Sequence, residues 1–360
     1  MICMIINEFI RIIYRKLILP KKKLTNMIKG KKILITGGTG SLGKALAKRL
    51  LELDADIVRI FSRNENNQTT MQSEMNDSRL RYFIGDVRDL PRLIKAMEDV
   101  DIVFHAAALK HVPIIEYNPF EAIKTNVLGS QNVIDAALHE NVETAICVGT
   151  DKAVSPLNTY GATKLLMEKL FVTASNHTNP KRHRTKFIAI RYGNVLGSSG
   201  SIVPTLVKQI ESGKNITITD PTMTRFNITM SQALDFIIRS IKKGNGGEVF
   251  IPKLKAYSLE ILKDTILEVL KKDVKTEIIS VRPGEKYHES LISNEEIRNT
   301  FEDEDDYIIL QEKSQQTINQ KFKKTSLKNE YSSDKVKLLD KEEIAKILIK
   351  DMAGIFENKL

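Results

Sequence analysis

The residues from Thr150 to Lys164 carry the side chains best suited to chemistry. Tyr160 and Lys164 stand four positions apart in a helix-compatible stretch, so both side chains leave one face, about 6 Å apart along the axis. A free tyrosine titrates near ~10 and is a poor base at neutral pH, but a nearby ammonium favours the phenolate. The pair can therefore take a hydroxyl proton while a hydride leaves the same carbon. Thr150, at the end of an apolar strand, is expected to hold that hydroxyl.

Asp151 and Lys152 add an acid and a base that a simple dehydrogenase does not need. On a strand the two side chains would point to opposite faces, so their joint use requires the chain to turn there. Pro156 and Asn158 favour such a turn. The alternative interpretation is a solvent-exposed loop ion pair, which contributes little energy.

A glycine-rich turn near the start of the chain predicts a dinucleotide site. The apolar run Lys32 to Thr36 precedes glycines at three-residue spacing, and a helical stretch follows from Lys44 to about Leu53. Such a turn lets the backbone approach a pyrophosphate at a helix N-terminus, where N–H groups and the dipole favour anions. The predicted cofactor contacts of the turn are Gly37, Thr39, Gly40, Ser41, Leu42 and Gly43.

The end of the second predicted strand indicates which dinucleotide binds. Ile57 to Phe61 is followed by Ser62, Arg63, Asn64 and Glu65. An acidic residue directly at the strand end would accept from a ribose 2′-hydroxyl, whereas a serine and a guanidinium suit a 2′-phosphate. The sequence therefore predicts NADP rather than NAD. The alternative is that Arg63 is an ordinary exposed loop residue.

Further strands are predicted at Arg81 to Ile84, Asp101 to Phe104 and Lys186 to Arg191, with a helix from about Pro119 to Glu140. Polar and small residues follow the first two of these strands and extend the cofactor site. These predicted contacts are Asp86, Val87, Ala106, Ala107, Ala108, Lys110 and Thr125.

Six strands with intervening helices predict an α/β fold with a doubly wound parallel (Rossmann) sheet, whose ligands bind beyond the carboxyl ends of the strands. Past Asn194 the alternation loosens, which indicates a smaller mixed α/β C-terminal substrate lobe. The predicted units are a basic amphipathic leader or upstream extension (1–26), an NADP-binding domain (27–200, with 225–245 returning to it), the lobe (201–224 and 246–310), and a polar connection with a last helix (311–360).

Composition limits the class of protein. The 360 residues are 42% hydrophobic, which is enough for a large core. The two cysteines, Cys3 and Cys147, lie far apart in the sequence, so no disulfide or metal site is expected. A cytoplasmic location fits this cysteine content. The net charge is +10, half of it in residues 1–26. No arginine–aromatic platform is evident, so nucleic-acid binding is disfavoured. The leader is read either as a weak membrane-surface helix or, preferably, as an extension before a start at Met27.

Two arginines of the predicted lobe are candidate diphosphate ligands, Arg225 in Met-Thr-Arg-Phe and Arg282 in Arg-Pro-Gly-Glu-Lys. Guanidinium groups match phosphate oxygens bidentately. From the residues alone, each is equally well read as part of a salt bridge between domains.

Several longer stretches together resemble the extended short-chain dehydrogenase/reductase superfamily and, more narrowly, the inverting UDP-N-acetylglucosamine 4,6-dehydratases of pseudaminic acid biosynthesis. Membrane-anchored retaining relatives carry methionine where this chain has Tyr160. The stretches are Thr-Gly-Gly-Thr-Gly-Ser-Leu-Gly (36–43), Phe-Ser-Arg-Asn-Glu (61–65), Ala-Ala-Leu-Lys-His-Val-Pro (107–113), the segment 150–164, Arg-Tyr-Gly-Asn-Val-Leu-Gly-Ser (191–198), Met-Thr-Arg-Phe (223–226) and Arg-Pro-Gly-Glu-Lys (282–286).

The resemblance implies a reaction in which NADP⁺ takes a hydride from C4 of UDP-N-acetylglucosamine, water leaves across C5 and C6, and the hydride returns to C6. By this resemblance Tyr160 deprotonates the C4 hydroxyl, Lys164 tunes it and holds the nicotinamide ribose, Lys152 is the base at C5 and Asp151 the acid at C6. A homo-oligomer is also implied. The substrate contacts implied are Lys110, Asn194, Arg225, Arg282 and Glu285.

Two alternatives stand beside the dehydratase. A UDP-sugar 4-epimerase or 4-reductase would use Tyr160 and Lys164 but has no need for Asp151 and Lys152. A non-catalytic NADP-binding scaffold at the membrane, suggested by the basic leader, predicts no turnover.

Overall fold

The apolar runs of the sequence build a ten-stranded central sheet in a computed structural model that describes residues 27–179, 181–198, 200–311 and 321–351. The leader predicted for residues 1–26 lies outside the described residues. The strands are β1 (Lys32–Thr36), β2 (Ile57–Ser62), β3 (Leu80–Ile84), β4 (Ile102–His105), β5 (Thr144–Val148), β6 (Lys186–Ile190), β7 (Asn194–Val195), β8 (Ile216–Ile218), β9 (Thr224–Ile228), β10 (Glu248–Pro252), β11 (Ala256–Ser258), β12 (Thr276–Ile278), β13 (Ser290–Ile292), β14 (Thr300–Glu302), β15 (Asp306–Leu310), β16 (Lys323–Lys324) and β17 (Tyr331–Ser332).

The helices predicted after the glycine turn and around Tyr160 and Lys164 are present. The predicted helix from Pro119 to Glu140 is interrupted by a π-helical segment, Ile123–Leu128, a feature that is frequent near functional sites. The α-helices are α1 (Ser41–Glu52), α2 (Glu65–Met75), α3 (Leu90–Met97), α4 (Val112–Tyr117), α5 (Pro119–Ala122), α6 (Gly129–His139), α7 (Thr159–His177), α8 (Ile202–Glu211), α9 (Met230–Lys243), α10 (Leu259–Leu270) and α11 (Lys341–Asp351).

The sheet is doubly wound, as predicted. Its parallel part runs in the order β3-β2-β1-β4-β5-β6-β10. Alternate residues of β1 point to opposite faces: Ile33 packs with helices α1 and α9, and Leu34 packs with α3, α6 and α7. Helices therefore cover both faces, and the carboxyl ends of the strands share one edge.

The strand β10 was assigned by the sequence to the substrate lobe, and this prediction is wrong. All five of its residues are buried, β10 pairs in parallel with β6, and β15, β14 and β16 extend the same sheet in antiparallel fashion. A buried strand with a neighbour on each side is apolar in the central sheet and in the lobe alike, so its sequence does not reveal which sheet it joins.

The smaller lobe has its own hydrophobic core. Helices α8 and α10 and the two-stranded sheet β8–β12 contribute to it, and the last helix, α11, packs there through Ile344 and Leu348, as expected. Residues 321–335, part of the predicted polar connection, include β16 and β17, which pair with β14 and β13. None of the described helices is long and apolar enough to cross a bilayer.

A buried arginine joins the sheet to two elements near its carboxyl edge. Arg191 follows β6 and is fully buried. Its guanidinium donates to both carboxylate oxygens of Glu168 on α7, at 2.6 and 2.5 Å, and to Glu296 at 2.9 and 2.7 Å. It also donates to the carbonyl of Leu291 on β13. One side chain therefore fixes α7 and the segment 291–296 against the sheet.

Replacing this arginine should destabilise the fold strongly. Arg191→Met leaves the buried Glu168 carboxylate without its partner, and breaking a buried pair in this way costs about 3–5 kcal/mol. Arg182→Met, at an exposed position, is the matched control and should change stability by less than about 0.5 kcal/mol. Urea denaturation measures both. Equal unfolding midpoints for the two variants would contradict the assigned role.

Candidate active site

The glycine-rich turn after β1 is shaped for close approach of a ligand to the backbone. Gly37 has φ +70°, and an added Cβ there would lie 2.8 Å from the backbone nitrogen of Ala107. At Gly43 an added Cβ would lie 2.5 Å from the carbonyl oxygen of Gly38. Gly40 is the N-cap of α1 and has no side chain to occupy the helix end. The turn therefore presents backbone N–H groups and a helix N-terminus to an anion, which fits the pyrophosphate of a dinucleotide.

The residues after β2 divide between structural and exposed positions. The Ser62 hydroxyl accepts from Gln68 Nε2 at 3.0 Å, and Asn64 caps α2 by accepting from the Asn67 N–H. Arg63 is more than half exposed, lines the cavity, and has Nη1 3.7 Å from Asp86 Oδ2. Glu65 is exposed and does not line the cavity, contrary to its prediction as a cofactor contact.

Asp86 and the residues after β4 form the other side of the cofactor cradle. Arg88 donates to Asp86 at 2.6 and 3.0 Å; burial favours the neutral acid, but these bonds outweigh it and keep the pKa of Asp86 below its ordinary value. The predicted contacts that line the cavity here are Asp86, Val87, Ala106, Ala107, Ala108, Lys110 and Thr125.

Helix α7 begins at the centre of the site. Asn158 caps it by accepting from the Gly161 N–H at 2.8 Å, and donates to the Gly284 carbonyl at 2.9 Å. An added Cβ at Gly161 would lie 2.2 Å from the carbonyl oxygen of Lys152. The absence of a side chain at Gly161 thus lets the helix with Tyr160 lie directly against the turn with Lys152.

Tyr160 and Lys164 are both buried and both line the cavity. Burial raises the pKa of Tyr160 to about 12, while the ammonium of Lys152 and a hydrogen bond with Thr150 oppose the rise. Lys164 donates to the Val148 carbonyl at 2.8 Å, and burial lowers its pKa to about 8. The Lys152 ammonium is therefore the cation that opposes the effect of burial on the pKa of Tyr160, a role predicted for Lys164.

Asp151 and Lys152 lie on a short 3₁₀ turn, Asp151–Ala153, so the chain turns where the sequence requires it. Lys152 Nζ is 3.1 Å from Asp151 Oδ1, and the same oxygen accepts from the Thr150 hydroxyl at 2.8 Å. Lys152 lines the cavity, but Asp151 is fully buried behind it and is not among the lining residues. The exposed loop ion pair considered above is therefore excluded.

A second carboxylate, which sequence reasoning missed, also contacts Lys152. Glu289 Oε1 lies 3.2 Å from Lys152 Nζ, and Asn194 Oδ1 accepts from the same ammonium at 3.4 Å. Burial disfavours the ammonium, but the carboxylates of Asp151 and Glu289 outweigh this and raise the pKa of Lys152 above its ordinary value. Nothing in the local sequence around Glu289 indicates this contact.

The predicted substrate residues of the lobe also meet here. Arg225 on β9 is buried; it donates to the carbonyl of Tyr287 at 3.0 Å and to Glu285 Oε1 at 3.2 Å. Arg282 is exposed at the rim of the cavity, and its backbone N–H lies 3.4 Å from Glu285 Oε2. Arg225 therefore already has protein partners, whereas the Arg282 guanidinium is at the surface of the cleft.

A single cavity of about 1010 Å³ connects these parts. Its lining runs from the glycine turn through Tyr160 and Lys152 to Arg282, so both predicted sites open into one space. This volume is at the upper end of the roughly 300–1,000 Å³ common for ligand pockets, which suits two ligands placed end to end.

Asn126 is another residue that sequence reasoning missed. It lies on the π-helical segment, is buried, and clamps the cofactor loop from both sides of Leu109: its side chain accepts from the Leu109 N–H and donates to the Leu109 carbonyl. It also donates to Thr163 on α7. A polar residue inside a predicted helix is the only local signal for this clamp.

Comparison with known proteins agrees with this geometry. Residues 33–312 match the family model described as polysaccharide biosynthesis protein. The chain belongs to this family. A UDP-N-acetylglucosamine 4,6-dehydratase (inverting) from Campylobacter jejuni is 48% identical over 285 residues, which cover 79% of this chain and 84% of that protein. The resemblance predicted from the motifs is thereby confirmed.

Two other similar proteins match about nine-tenths of the chain. A UDP-glucose 4-epimerase from Rickettsia conorii is 39% identical over 331 residues, 90% of this chain and 96% of that protein. The X-ray structure of Pen from Bacillus thuringiensis superposes with a TM-score of 0.82 at 40% identity, covering 89% of this chain and 99% of that one. The α/β fold class predicted from the sequence of our protein is confirmed.

Proposed function

We propose that this protein is an NADP-dependent, C5-inverting UDP-N-acetylglucosamine 4,6-dehydratase. Its product would be a UDP-2-acetamido-2,6-dideoxy-4-keto-hexose, used for surface glycan or pseudaminic acid biosynthesis in the cytoplasm. The observation that carries the proposal is the contact of Lys152 with two carboxylates beside Tyr160, in the same cavity as the glycine turn. The 48% identity to an inverting dehydratase supports it.

Oxidation at C4 is the first step. When bound, the nicotinamide would supply the redox chemistry, with a hydride taken from C4 and later returned to C6. Tyr160 takes the proton of the C4 hydroxyl, and Thr150, hydrogen-bonded to Tyr160, positions that hydroxyl. Lys164 lines the same cavity and would hold the nicotinamide ribose.

Elimination of water follows at the Lys152 cluster. The 4-ketone makes the C5 hydrogen acidic, so a base can remove it while an acid helps the C6 hydroxyl to depart. Lys152 is the base at C5. The acid must be a carboxyl group that can exchange a proton with Lys152, and Asp151, 3.1 Å from its ammonium, is the residue predicted from the sequence.

The nucleotide end of the substrate would lie toward the lobe. Arg282 and Arg225 supply positive charge for the diphosphate, with Glu285 holding Arg225 in place. Asn194 and Lys110 also line the cavity and would contact the substrate.

NADP is proposed because Arg63, and no carboxylate, faces the cavity at the end of β2. A homo-oligomer is proposed because large apolar side chains are exposed together near the π-helical segment, which suits a contact with a second copy. They are Ile114, Tyr117, Phe120, Ile123 and Leu128.

A 4-epimerase is the second candidate, favoured by the Rickettsia relative. An epimerase returns the hydride to C4 and removes no proton from C5. It would therefore have no use for a lysine held between two carboxylates.

The direct test is to incubate the purified protein with UDP-N-acetylglucosamine and NADP⁺. We expect a product lighter by one water and no net reduced cofactor, because the hydride is taken and returned in one cycle. Mass spectrometry and the absorbance of the reduced nicotinamide measure these outcomes. Isomerisation without a change in mass would establish the epimerase, and absence of turnover would support a binding scaffold.

Replacing the base should separate the two halves of the reaction. Lys152→Ala should keep cofactor binding and a slowed C4 oxidation, visible as reduced nicotinamide, but dehydrate at least about 100-fold more slowly, because a general base is lost. Tyr160→Phe should form no reduced nicotinamide. Lys186→Ala, at an exposed position outside the cavity, should behave as wild type. Normal dehydration by Lys152→Ala would refute its assignment as the base.

Removing the predicted phosphate ligand should change cofactor preference. Arg63→Ala should weaken NADP⁺ binding about tenfold or more, since a charge-assisted hydrogen bond contributes about 1.5–3 kcal/mol, and should leave NAD⁺ binding nearly unchanged. Titration calorimetry with both dinucleotides measures this. The control, Arg81→Ala, changes an exposed arginine outside the cavity. A similar loss for both cofactors would show that Arg63 does not select NADP.

A further inference from the structure

Glu289 is the acidic residue that reaches both Lys152 and the cavity. Its Oε1 is 3.2 Å from Lys152 Nζ, and the residue is among those lining the cleft. Its second oxygen, Oε2, is buried without a hydrogen-bond partner among the described residues. A buried carboxylate oxygen with no protein partner, in a substrate cleft, is available to a ligand.

Asp151 is placed differently. It is fully buried and does not line the cavity, and its Oδ1 accepts from Thr150 and Lys152. Asp151 Oδ2, like Glu289 Oε2, is buried without a partner among the described residues, so access to the cavity is what separates the two carboxylates. Its backbone N–H is also fixed, by the carbonyl of Tyr192 at 3.2 Å. Asp151 is therefore well placed to orient Lys152 and Thr150, whereas Glu289 also lines the cleft.

The backbone holds Glu289 rigidly. Its N–H donates to the Ser333 hydroxyl at 2.9 Å, and its carbonyl accepts from the Ser333 N–H at 2.8 Å. The strand β13 that follows is paired with β17, and Arg191 binds the carbonyl of Leu291 within it. These bonds fix the backbone from which the Glu289 side chain extends to Lys152.

We propose that Glu289 is a catalytic residue that delivers the proton to the departing C6 hydroxyl, with Asp151 acting as a positioning residue for Lys152. This inference rests on the proposed dehydratase function. It assigns the acid to the carboxylate that faces the substrate, on a segment far from Asp151 and Lys152 in the sequence.

The protons balance within the pair. Before elimination, the Lys152 ammonium passes a proton to the Glu289 carboxylate across their contact, which leaves a neutral amine and a neutral carboxylic acid. The amine then takes the C5 proton as the C5–C6 double bond forms. The Glu289 acid protonates the C6 oxygen as the C6–O bond breaks and water leaves. Lys152 ends as an ammonium and Glu289 as a carboxylate, so the starting state is restored with no other reactant.

Glu289→Gln is the first test, because glutamine has the same shape but cannot donate the carboxyl proton. With UDP-N-acetylglucosamine and NADP⁺ this variant should still form reduced nicotinamide, which shows a folded site that oxidises C4. Dehydration should fall by at least about 100-fold, the usual contribution of a general acid. Glu330→Gln is the control and should retain wild-type dehydration, because Glu330 directly precedes β17 and lies outside the cavity. Wild-type dehydration by Glu289→Gln would overturn the proposal.

A substrate analogue separates an acid from a residue that only positions Lys152. In UDP-6-deoxy-6-fluoro-N-acetylglucosamine the leaving group is fluoride, which departs without a proton. In Glu289→Gln, Lys152 can lose its proton only to solvent, so this variant should recover fluoride elimination, but not water elimination, as the pH is raised. Lys152→Ala should eliminate neither at any pH, since C5 deprotonation is still required. The assignment would be overturned if Glu289→Gln lost water elimination and fluoride elimination equally at every pH. It would also be overturned if the fluoro analogue restored elimination in Asp151→Asn but not in Glu289→Gln.

Two further measurements keep the result interpretable. If Glu289→Gln forms no reduced nicotinamide, Glu289→Asp, which keeps an ionisable carboxyl, is used; partial dehydration by it supports the proposal, and none with intact C4 oxidation contradicts it. The wild-type reaction is run in parallel. Failure of the wild type to release water rejects the dehydratase itself, which is distinct from failure of the Glu289 assignment.

Discussion

The active site depends on one buried ion pair network. Arg191 leaves the end of a central strand and binds Glu168 on helix α7, where both side chains are fully buried, and Glu296 beyond strand β13, which is partly buried. That helix carries Tyr160 and Lys164, and that strand follows Glu289. Because a buried guanidinium must keep its partners, this network sets the distance between the part of the site that oxidises C4 and the part that removes water.

Close backbone contacts bring the remaining groups together. The turn with Lys152 lies against α7 because Gly161 has no side chain, and the glycine turn lies against Ala107 for the same reason at Gly37. The result is one continuous cleft in which a dinucleotide and a nucleotide sugar would meet at Tyr160. Holding both reactants in one geometry is itself a large part of catalysis, since it removes the entropy cost of their encounter.

Features encoded by neighbouring residues could be predicted from the sequence, whereas features that depend on contacts between distant segments could not. The glycine turn and the Asp151–Lys152 turn are encoded within a few adjacent residues, and the glycine turn and Lys152 line one cleft, with Asp151 buried beside Lys152. Glu289 was missed because its contact with Lys152 joins distant segments through pairing of β13 with β17. Strand β10 was misplaced because its apolar pattern suits either sheet. Lys164 was expected to act on Tyr160, but the helix directs its ammonium to the Val148 carbonyl.

The central claim is that a base at Lys152 opens C5 of the sugar after C4 has been oxidised. The most direct measurement is the reaction of the wild-type protein with UDP-N-acetylglucosamine and NADP⁺ in deuterated water, followed by mass and proton spectra of the product. The account predicts a product that has lost one water, carries deuterium at C5 and has inverted configuration there. A product that retains the original hydrogen at C5 would contradict it.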